Sequence, residues 1–415
     1  MGSKRPRSRH HVQPAPHRPL RVLVVGAGVG GISIARGLLR DGHDVTVFEQ
    51  RPEVRAGGGA VTIWSNGETV LRQLGVDMDG AGQELSTVRV MTSTGRPMTT
   101  LDVTAIVDRM HAPVRMVPRR ILLGRLLEGF PAERIRCNTQ VVGVAEDSRG
   151  VHLEFADGSC ADGDLVIGAD GLHSKVRDIV GAQHAEPTGW CSWQGLASLP
   201  ESADRRVAFV IVGEHGNLGL WPAGDTEAQW WFDLPWPPDF VRPERPIEVI
   251  RANFSGWSEL VDQVLATLTD DDLTRSPYPH FRHPIPGPGR GAVTLLGDAA
   301  HTMPPTLAQG TNQALLDTMV LCKAISDTRS SGDLSAALRW YEKTRRRRVA
   351  AVSRVASLQV SHGESVLRPA ALVPDRVMTW VLATFLRAVS HRRMAAGISR
   401  NLAAAPTSGS DEHAR

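Results

Sequence analysis

Three separated clusters of glycine and aspartate carry the residue types suited to gripping a phosphorylated ligand. The first is Gly26-Ala27-Gly28-Val29-Gly30-Gly31. Gly26, Gly28 and Gly31 have the G-x-G-x-x-G spacing: the first makes a tight turn, the second lets backbone approach a pyrophosphate, and the third lets a helix lie close on a strand. Glu49 follows at the end of the next apolar run, where an acid accepts hydrogen bonds from a ribose 2′-hydroxyl and argues against a 2′-phosphate. The second cluster is Gly168-Ala169-Asp170-Gly171, with Ser174 and Arg177 at helix-start spacing after it. The third is Gly297-Asp298-Ala299-Ala300-His301, then Pro304-Pro305 and Gln309-Gly310-Thr311-Asn312. A helix predicted from Gln313 would aim backbone N–H groups and a positive dipole end at an electron-rich ligand. Alone, the first cluster serves NAD and FAD equally, and the second is only a turn.

Each cluster needs a strand behind it and a helix ahead. Arg21 to Val25 is a β-branched run, and Ile32, Ala35, Leu38 and Leu39 recur at helical spacing. Asp44 to Phe48, Leu165 to Gly168 and Ala292 to Leu296 read as further strands. Between Ala185 and Pro288 tryptophans and prolines cluster, and Arg206 to Val212 and Gln229 to Leu234 alternate like strands of an antiparallel sheet. Trp230 and Trp231 are adjacent there, so one at most enters a pocket on either face. Leu334 to Val360 is predicted as a helix, with Arg345 to Arg348 on a solvated face. The stretch from Ser361 to Met394 is read as a terminal helix closing the domain.

Composition narrows the function. The chain has 415 residues, 41% of them hydrophobic, enough for two or three packed units. Lysines and arginines number 47 against 44 acids, but Lys4, Arg5, Arg7, Arg9 and Arg18 lie in a proline-rich first segment without acids. Residues 1–19 are read as a disordered basic extension, leaving 42 basic residues against 44 acids in the body. That balance is not the footprint of a nucleic-acid binder. The longest apolar stretch, Val377 to Val389, is too short to span a bilayer and contains Arg387. Cys137, Cys160, Cys191 and Cys322 form no C-x-x-C pair, so neither a metal site nor a disulfide framework is signalled and a cytoplasmic location is expected.

In order and separation, the three clusters resemble the class A FAD-dependent monooxygenases of the aromatic hydroxylase type, over roughly Leu20 to Val360. The resemblance implies an α/β fold: a Rossmann-like FAD-binding domain of the glutathione-reductase type, an inserted antiparallel-sheet substrate domain and C-terminal helices. It places the FAD domain in 20–84, 112–184 and 289–345, the substrate domain in 85–111 and 185–288, the C-terminal helices in 346–402 and a frayed tail in 403–415. It assigns Gly26, Gly28 and Gly31 to the pyrophosphate, Glu49 to the adenosine ribose and the Val141 backbone to adenine. Leucine spacing after Pro118 selects Arg119 over its neighbour Arg120 as the family's arginine. Asp170 would brace the flavin loops, Asp298 would bind the ribityl chain and nearby phosphate, and Gly310, Thr311 and Asn312 would offer N–H groups to the flavin pyrimidine edge. Trp193-Gln194-Gly195 resembles a family Trp-Arg-Gly strand, and Trp193, Trp221 and Trp231 are the expected substrate-pocket residues. The chain departs from the family at Ala308, where glycine is usual, and at Leu316, where an acid is usual.

The implied activity is insertion of one oxygen atom from O₂ into an aromatic or polycyclic small molecule through a C4a-hydroperoxyflavin, with hydroxylation the family's commonest outcome. NADPH or NADH would be a transient co-substrate, since the single dinucleotide fingerprint is assigned to FAD. Epoxidation and Baeyer–Villiger insertion start from related chemistry. A flavin-dependent dehydrogenase or reductase, and a non-catalytic flavin-binding protein, share the same motifs. A plain NAD dehydrogenase would leave Asp298 and Gly310 without a role. The spacing of Trp190 and Trp193 lacks the Trp-x-Trp-x-Ile motif of flavin-dependent halogenases. No metal and no particular catalytic base is indicated.

Overall fold

A computed structural model describes residues 19–198, 204–224, 226–284, 287–326, 331–360 and 371–391. The expected basic extension (residue 19 apart) and frayed tail, and 361–370 and 392–402 of the expected C-terminal helices, lie outside these residues.

Five parallel strands form one sheet in the order Val293–Leu295, Leu165–Gly168, Arg21–Val25, Asp44–Phe48 and Ile135–Arg136. A parallel sheet is covered on both faces, which is why Arg21–Val25 and Leu165–Gly168 are almost wholly buried rather than alternating. On one side the helix Val29–Arg40 packs with the helix Gly310–Ser326 around Ile32, Ile34, Leu38, Leu315 and Leu321. A Cβ on Gly37 would lie 2.7 Å from Cys322 Sγ, so that helix pair needs the glycine. On the other side a three-stranded antiparallel sheet, Val141–Asp147, Gly150–Phe155 and Cys160–Gly163, closes a second core around Phe48, Leu153 and Phe155.

The second half is a seven-stranded sheet ordered Tyr278–Arg282, Glu186–Ser198, Glu227–Pro235, Asn217–Pro222, Val207–Val212, Thr87–Thr92 and Pro97–Asp102. It is antiparallel except where Val207–Val212 runs parallel to Thr87–Thr92, because the chain enters the sheet twice, far apart in sequence. Helices Pro246–Phe254 and Glu259–Thr267 cover one face, burying Trp193, Trp230, Phe232 and Phe254. Burying such a ring contributes about 2–3 kcal/mol. The opposite face meets the parallel-sheet half through Ala60, Trp64 and Met116. The helix Asp375–Val389 closes this junction: Asp375 accepts from Thr99 Oγ1 (3.0 Å) and Thr100 N–H (2.9 Å), and Ala383 and Leu386 pack in the same core as Ile106. Among the described residues no helix is long and apolar enough to cross a membrane.

Three expectations change. The helix expected from Gln313 starts at Gly310, and the one expected from Leu334 starts at Ser331. Arg345 is not on a solvated face: it is buried and ion-paired to Asp317, while Arg346 and Arg347 are exposed. A run of four arginines on a helix spans more than one turn, so its members cannot share one environment.

Candidate active site

The glycine turn has the geometry that its spacing implied. Gly26 adopts φ +100°, and a Cβ there would lie 2.6 Å from the Ala169 carbonyl oxygen. A Cβ on Gly31 would lie 1.9 Å from the Gly26 carbonyl oxygen, so helix and strand touch backbone to backbone. Beside Gly28, at the start of the helix, nothing of the protein lies within 4 Å of the equivalent position. That is room for a group outside the protein at the positive end of a helix. Glu49 accepts from Ala27 N–H and Arg51 N–H, both at 3.0 Å, which holds its carboxylate against the turn with lone pairs to spare. Val141 is buried at the start of its strand, beside Phe48 in the same core.

Asp170 caps the short helix Lys175–Ile179, accepting from Ser174 Oγ (2.5 Å), Lys175 N–H (2.7 Å) and Val176 N–H (3.2 Å). Burial pushes its carboxyl up, against these hydrogen bonds. Arg177, which carried no expected role, is buried; it donates to the carbonyls of Gln183, Ala299 (2.5 Å) and Ala300 (3.1 Å) and clamps this helix to the Asp298 turn. Burial lowers its guanidinium to about 10.

Asp298 is exposed at the start of the helix Asp298–His301, 4.0 Å from where a Cβ on Gly310 would sit. The first intrahelical bond of Gly310–Ser326 runs from Gln313 N–H to Gln309 O, so the N–H groups of Gly310, Thr311 and Asn312 precede the ladder and have no partner within the helix. The Asn312 side chain is spent inside the protein: Oδ1 accepts from Trp64 N–H (2.9 Å), and Nδ2 donates to Thr62 O (2.9 Å) and Ala308 O (2.8 Å). Ala308 stands at φ +49°, in the left-handed region where the family's glycine is at ease. Leu316 is buried in the helix core. Next to it, Asp317 accepts from Gly297 N–H (3.0 Å), His301 Nε2 (2.5 Å) and Arg345 Nε (2.5 Å), tying two helices to the turn before Asp298. Burial works to raise the Asp317 carboxyl, but His301 and Arg345 outweigh it and hold it at about 2.

The two candidate arginines separate. Arg120 points outward to Glu227 at 2.9 Å. Arg119 is half-buried, lies beside Gly58, and makes no ion pair among the described residues. Burial lowers its guanidinium, while the fields of Asp298 and Tyr278 oppose the shift. An underpaired cation, N–H groups ahead of a helix ladder and open space at Gly28 together suit a dinucleotide bearing a pyrophosphate.

The tryptophans are sorted by strand alternation. Trp193 shares the helix-covered core with Trp230, 1% exposed, and so is removed from the expected pocket. Trp221 and Trp231 project from the opposite face, ring centroids 5.8 Å apart. On that face Gln229 Oε1 accepts Ala60 N–H at 2.6 Å, fixing this side toward the glycine-motif half. Gln229 was not foreseen; its only sequence signal was its place two residues before Trp231.

The FAD binding domain family matches residues 19–356. The chain is 32% identical over 342 residues to FAD-dependent urate hydroxylase of Klebsiella pneumoniae, covering 80% of this chain and 87% of that one. It is 31% identical over 352 residues to 3-amino-4-hydroxybenzoate 2-monooxygenase of Streptomyces platensis, covering 81% and 87%. The crystal structure of Klebsiella pneumoniae HpxO with FAD and uric acid superposes with TM-score 0.79 at 28% identity, covering 88% of this chain and 96% of that one. The chain belongs to the family of class A FAD-dependent aromatic monooxygenases, and it is a flavoenzyme of that class.

Proposed function

We propose that the enzyme hydroxylates an aromatic or heteroaromatic small molecule held between the flavin and the sheet face carrying Trp221, Gln229 and Trp231. The observation that carries this reading is the convergence of Arg119, Asp298 and the start of the helix Gly310–Ser326 opposite that face. In this reading Gly26, Gly28 and Gly31 leave room for the pyrophosphate, Glu49 receives the adenosine ribose and the Val141 backbone meets adenine. Arg119 and Asp298 flank the ribityl chain and phosphates, and Asp170 fixes the loop between them. The N–H groups of Gly310, Thr311 and Asn312 face the pyrimidine edge, where fixed dipoles favour negative charge. Bound FAD supplies redox chemistry with NADPH or NADH and O₂, and the protein supplies orientation, a dry cavity and polarisation. Trp231 offers a ring face to a planar substrate, worth about 1 kcal/mol beyond area burial.

The relatives define the first substrates to try: urate, 3-amino-4-hydroxybenzoate and aurachin C, after the urate hydroxylases, the aminohydroxybenzoate monooxygenases and the aurachin C monooxygenase/isomerase of Stigmatella aurantiaca. The test is NADPH and NADH oxidation by the FAD-loaded protein with each compound, with product mass measured. Stimulated oxidation with a product one oxygen heavier is expected. Stimulated oxidation yielding only peroxide across a broad aromatic panel would overturn the assignment.

A further inference from the structure

Three neighbouring strands bring Asp233, Ser192 and His280 together on the face of the seven-stranded sheet turned away from its covering helices, the face that meets the parallel-sheet half. Trp230, Phe232 and Leu234 point into the helix-covered core, so Asp233 projects with Gln229 and Trp231 to the other face. Ser192 is opposite Asp233 in register, and its Oγ hydrogen-bonds Asp233 Oδ1 and lies 2.7 Å from His280 Nε2. All three are buried, and among the described residues no lysine or arginine pairs with Asp233. His280 Nδ1 is buried without a hydrogen-bond partner there.

The hydrogen-bond roles follow from valence. An ionised carboxylate only accepts, so Ser192 must donate to it; the Ser192 oxygen then takes the Nε2–H of a neutral His280, leaving a lone pair on Nδ1. With Asp233 protonated every bond reverses, and Nδ1 carries the hydrogen. We propose that His280, Ser192 and Asp233 form a proton wire for the substrate of this site, accepting the proton of a phenolic O–H or heteroaromatic N–H at His280 Nδ1. The inference rests on the proposed function, in which the substrate lies against this face of the sheet. The substrate O–H or N–H bond breaks and Nδ1–H forms; the Nε2 proton passes to Ser192 Oγ, and the Ser192 proton passes to Asp233. One proton moves and no electrons are exchanged. Losing that proton makes the ring a better nucleophile toward an electrophilic oxygen, the role that had no residue in the sequence.

The electrostatics support both end states. Burial, opposed only by Ser192, pushes Asp233 up to about 7, and burial pushes His280 down to about 4. The ring therefore stays neutral while the carboxyl exchanges near neutral pH. Around the cluster, Asn217 opposite Asp233 is neutral, Tyr278 stands opposite Ser192, and the Cys191 thiol on the far face is raised to about 12 by burial and by Asp233. Arg242 lies over the Trp193 ring on that far face and donates to the carbonyls of Ser276 and Leu273.

The test is nitrogen-resolved histidine NMR of the FAD-loaded protein from about pH 5 to 9, spanning the ordinary histidine range, with His280 assigned by its loss in His280→Gln. A neutral ring that changes from Nδ1–H to Nε2–H as pH rises through about 7, and that does not change in Asp233→Asn, is expected. A ring fixed in one tautomer, or one that becomes charged over this range, overturns the wire. Because this is read without turnover, it stands apart from the monooxygenase assignment. With the best compound of the NAD(P)H panel, Ser192→Ala should lower kcat about a hundredfold with KM little changed and remove the rise of kcat through neutral pH. An unchanged kcat, or an unchanged pH profile, overturns the substrate role.

Discussion

Replacing Asp317 by leucine should be the most damaging single change near the site that touches no substrate. Its carboxylate is enclosed and takes three donors: Gly297 N–H, His301 Nε2 and Arg345 Nε. Among the described residues Arg345 is held further only by Gln313, through its carbonyl (3.1 Å) and side-chain oxygen (2.7 Å). Removing the acid strands a buried guanidinium, which costs about 3–5 kcal/mol. Against a total stability of about 5–15 kcal/mol, that is about a fifth or more. Removing both charges, in Asp317→Leu with Arg345→Met, should recover most of the loss, since no unpaired charge remains. Urea unfolding of wild type, both single variants and the double variant measures this coupling. A single variant within about 1 kcal/mol of wild type, or a double variant as unstable as the sum of the singles, would refute the reasoning. Acid provides a second reading. Asp317 sits at about 2 in the folded protein against an ordinary 3.8. Its contribution is therefore complete above about pH 4 and is lost as pH falls through about 2; at about 1.4 kcal/mol per unit it amounts to about 2–3 kcal/mol. Asp317→Asn should lack this part of the acid limb.

Other substitutions separate binding from folding. Gly28→Ala meets no protein atom within 4 Å, so apoprotein melting should hold while FAD affinity falls at least about tenfold; Gly31→Ala drives a carbon against the Gly26 carbonyl and should depress melting with or without FAD. Flavin titration of Arg119→Met should show affinity about 10–100-fold weaker, the worth of about 1.5–3 kcal/mol for a hydrogen bond to a charged group, while Arg120→Met, losing only an exposed pair with Glu227, should stay within about 1 kcal/mol of wild type. Ala308→Gly relieves a left-handed alanine and should raise stability by about 0.5–1 kcal/mol in urea unfolding; a loss would show that the alanine is not strained. Trp193→Ala should cost about 3–5 kcal/mol of stability, whereas Trp231→Ala should act mainly on KM for the aromatic substrate.

Much of the cofactor half was legible because its requirements are local. Gly26, Gly28 and Gly31 answer to the backbone of one strand, one turn and one helix, so spacing alone stated what each must do. The helix start moved by three residues, from Gln313 to Gly310, because the Asn312 side chain ties that turn to Thr62 and Trp64, some 250 residues away in sequence. Arg119 and Arg120 were told apart by leucine spacing, and tertiary structure sends one toward Asp298 and the other to Glu227.

The substrate half was less legible because its chemistry depends on which strands are neighbours. Alternation fixed that Trp230 and Trp231 face opposite ways, but which face looks toward the parallel-sheet half was set by helices Pro246–Phe254 and Glu259–Thr267 covering the other, and that puts Trp193 in the core. Asp233, Ser192 and His280 share no motif; sheet register alone brings them within hydrogen-bond reach. Arg345 was one of four like residues on a helix until the buried Asp317 selected it. Sequence by itself determined those features whose partners lie within a turn or a strand of one another. Tertiary structure decided the buried charges and the sheet face, because a side chain's partner across a sheet or between helices is set by packing and register, and no local spacing encodes either.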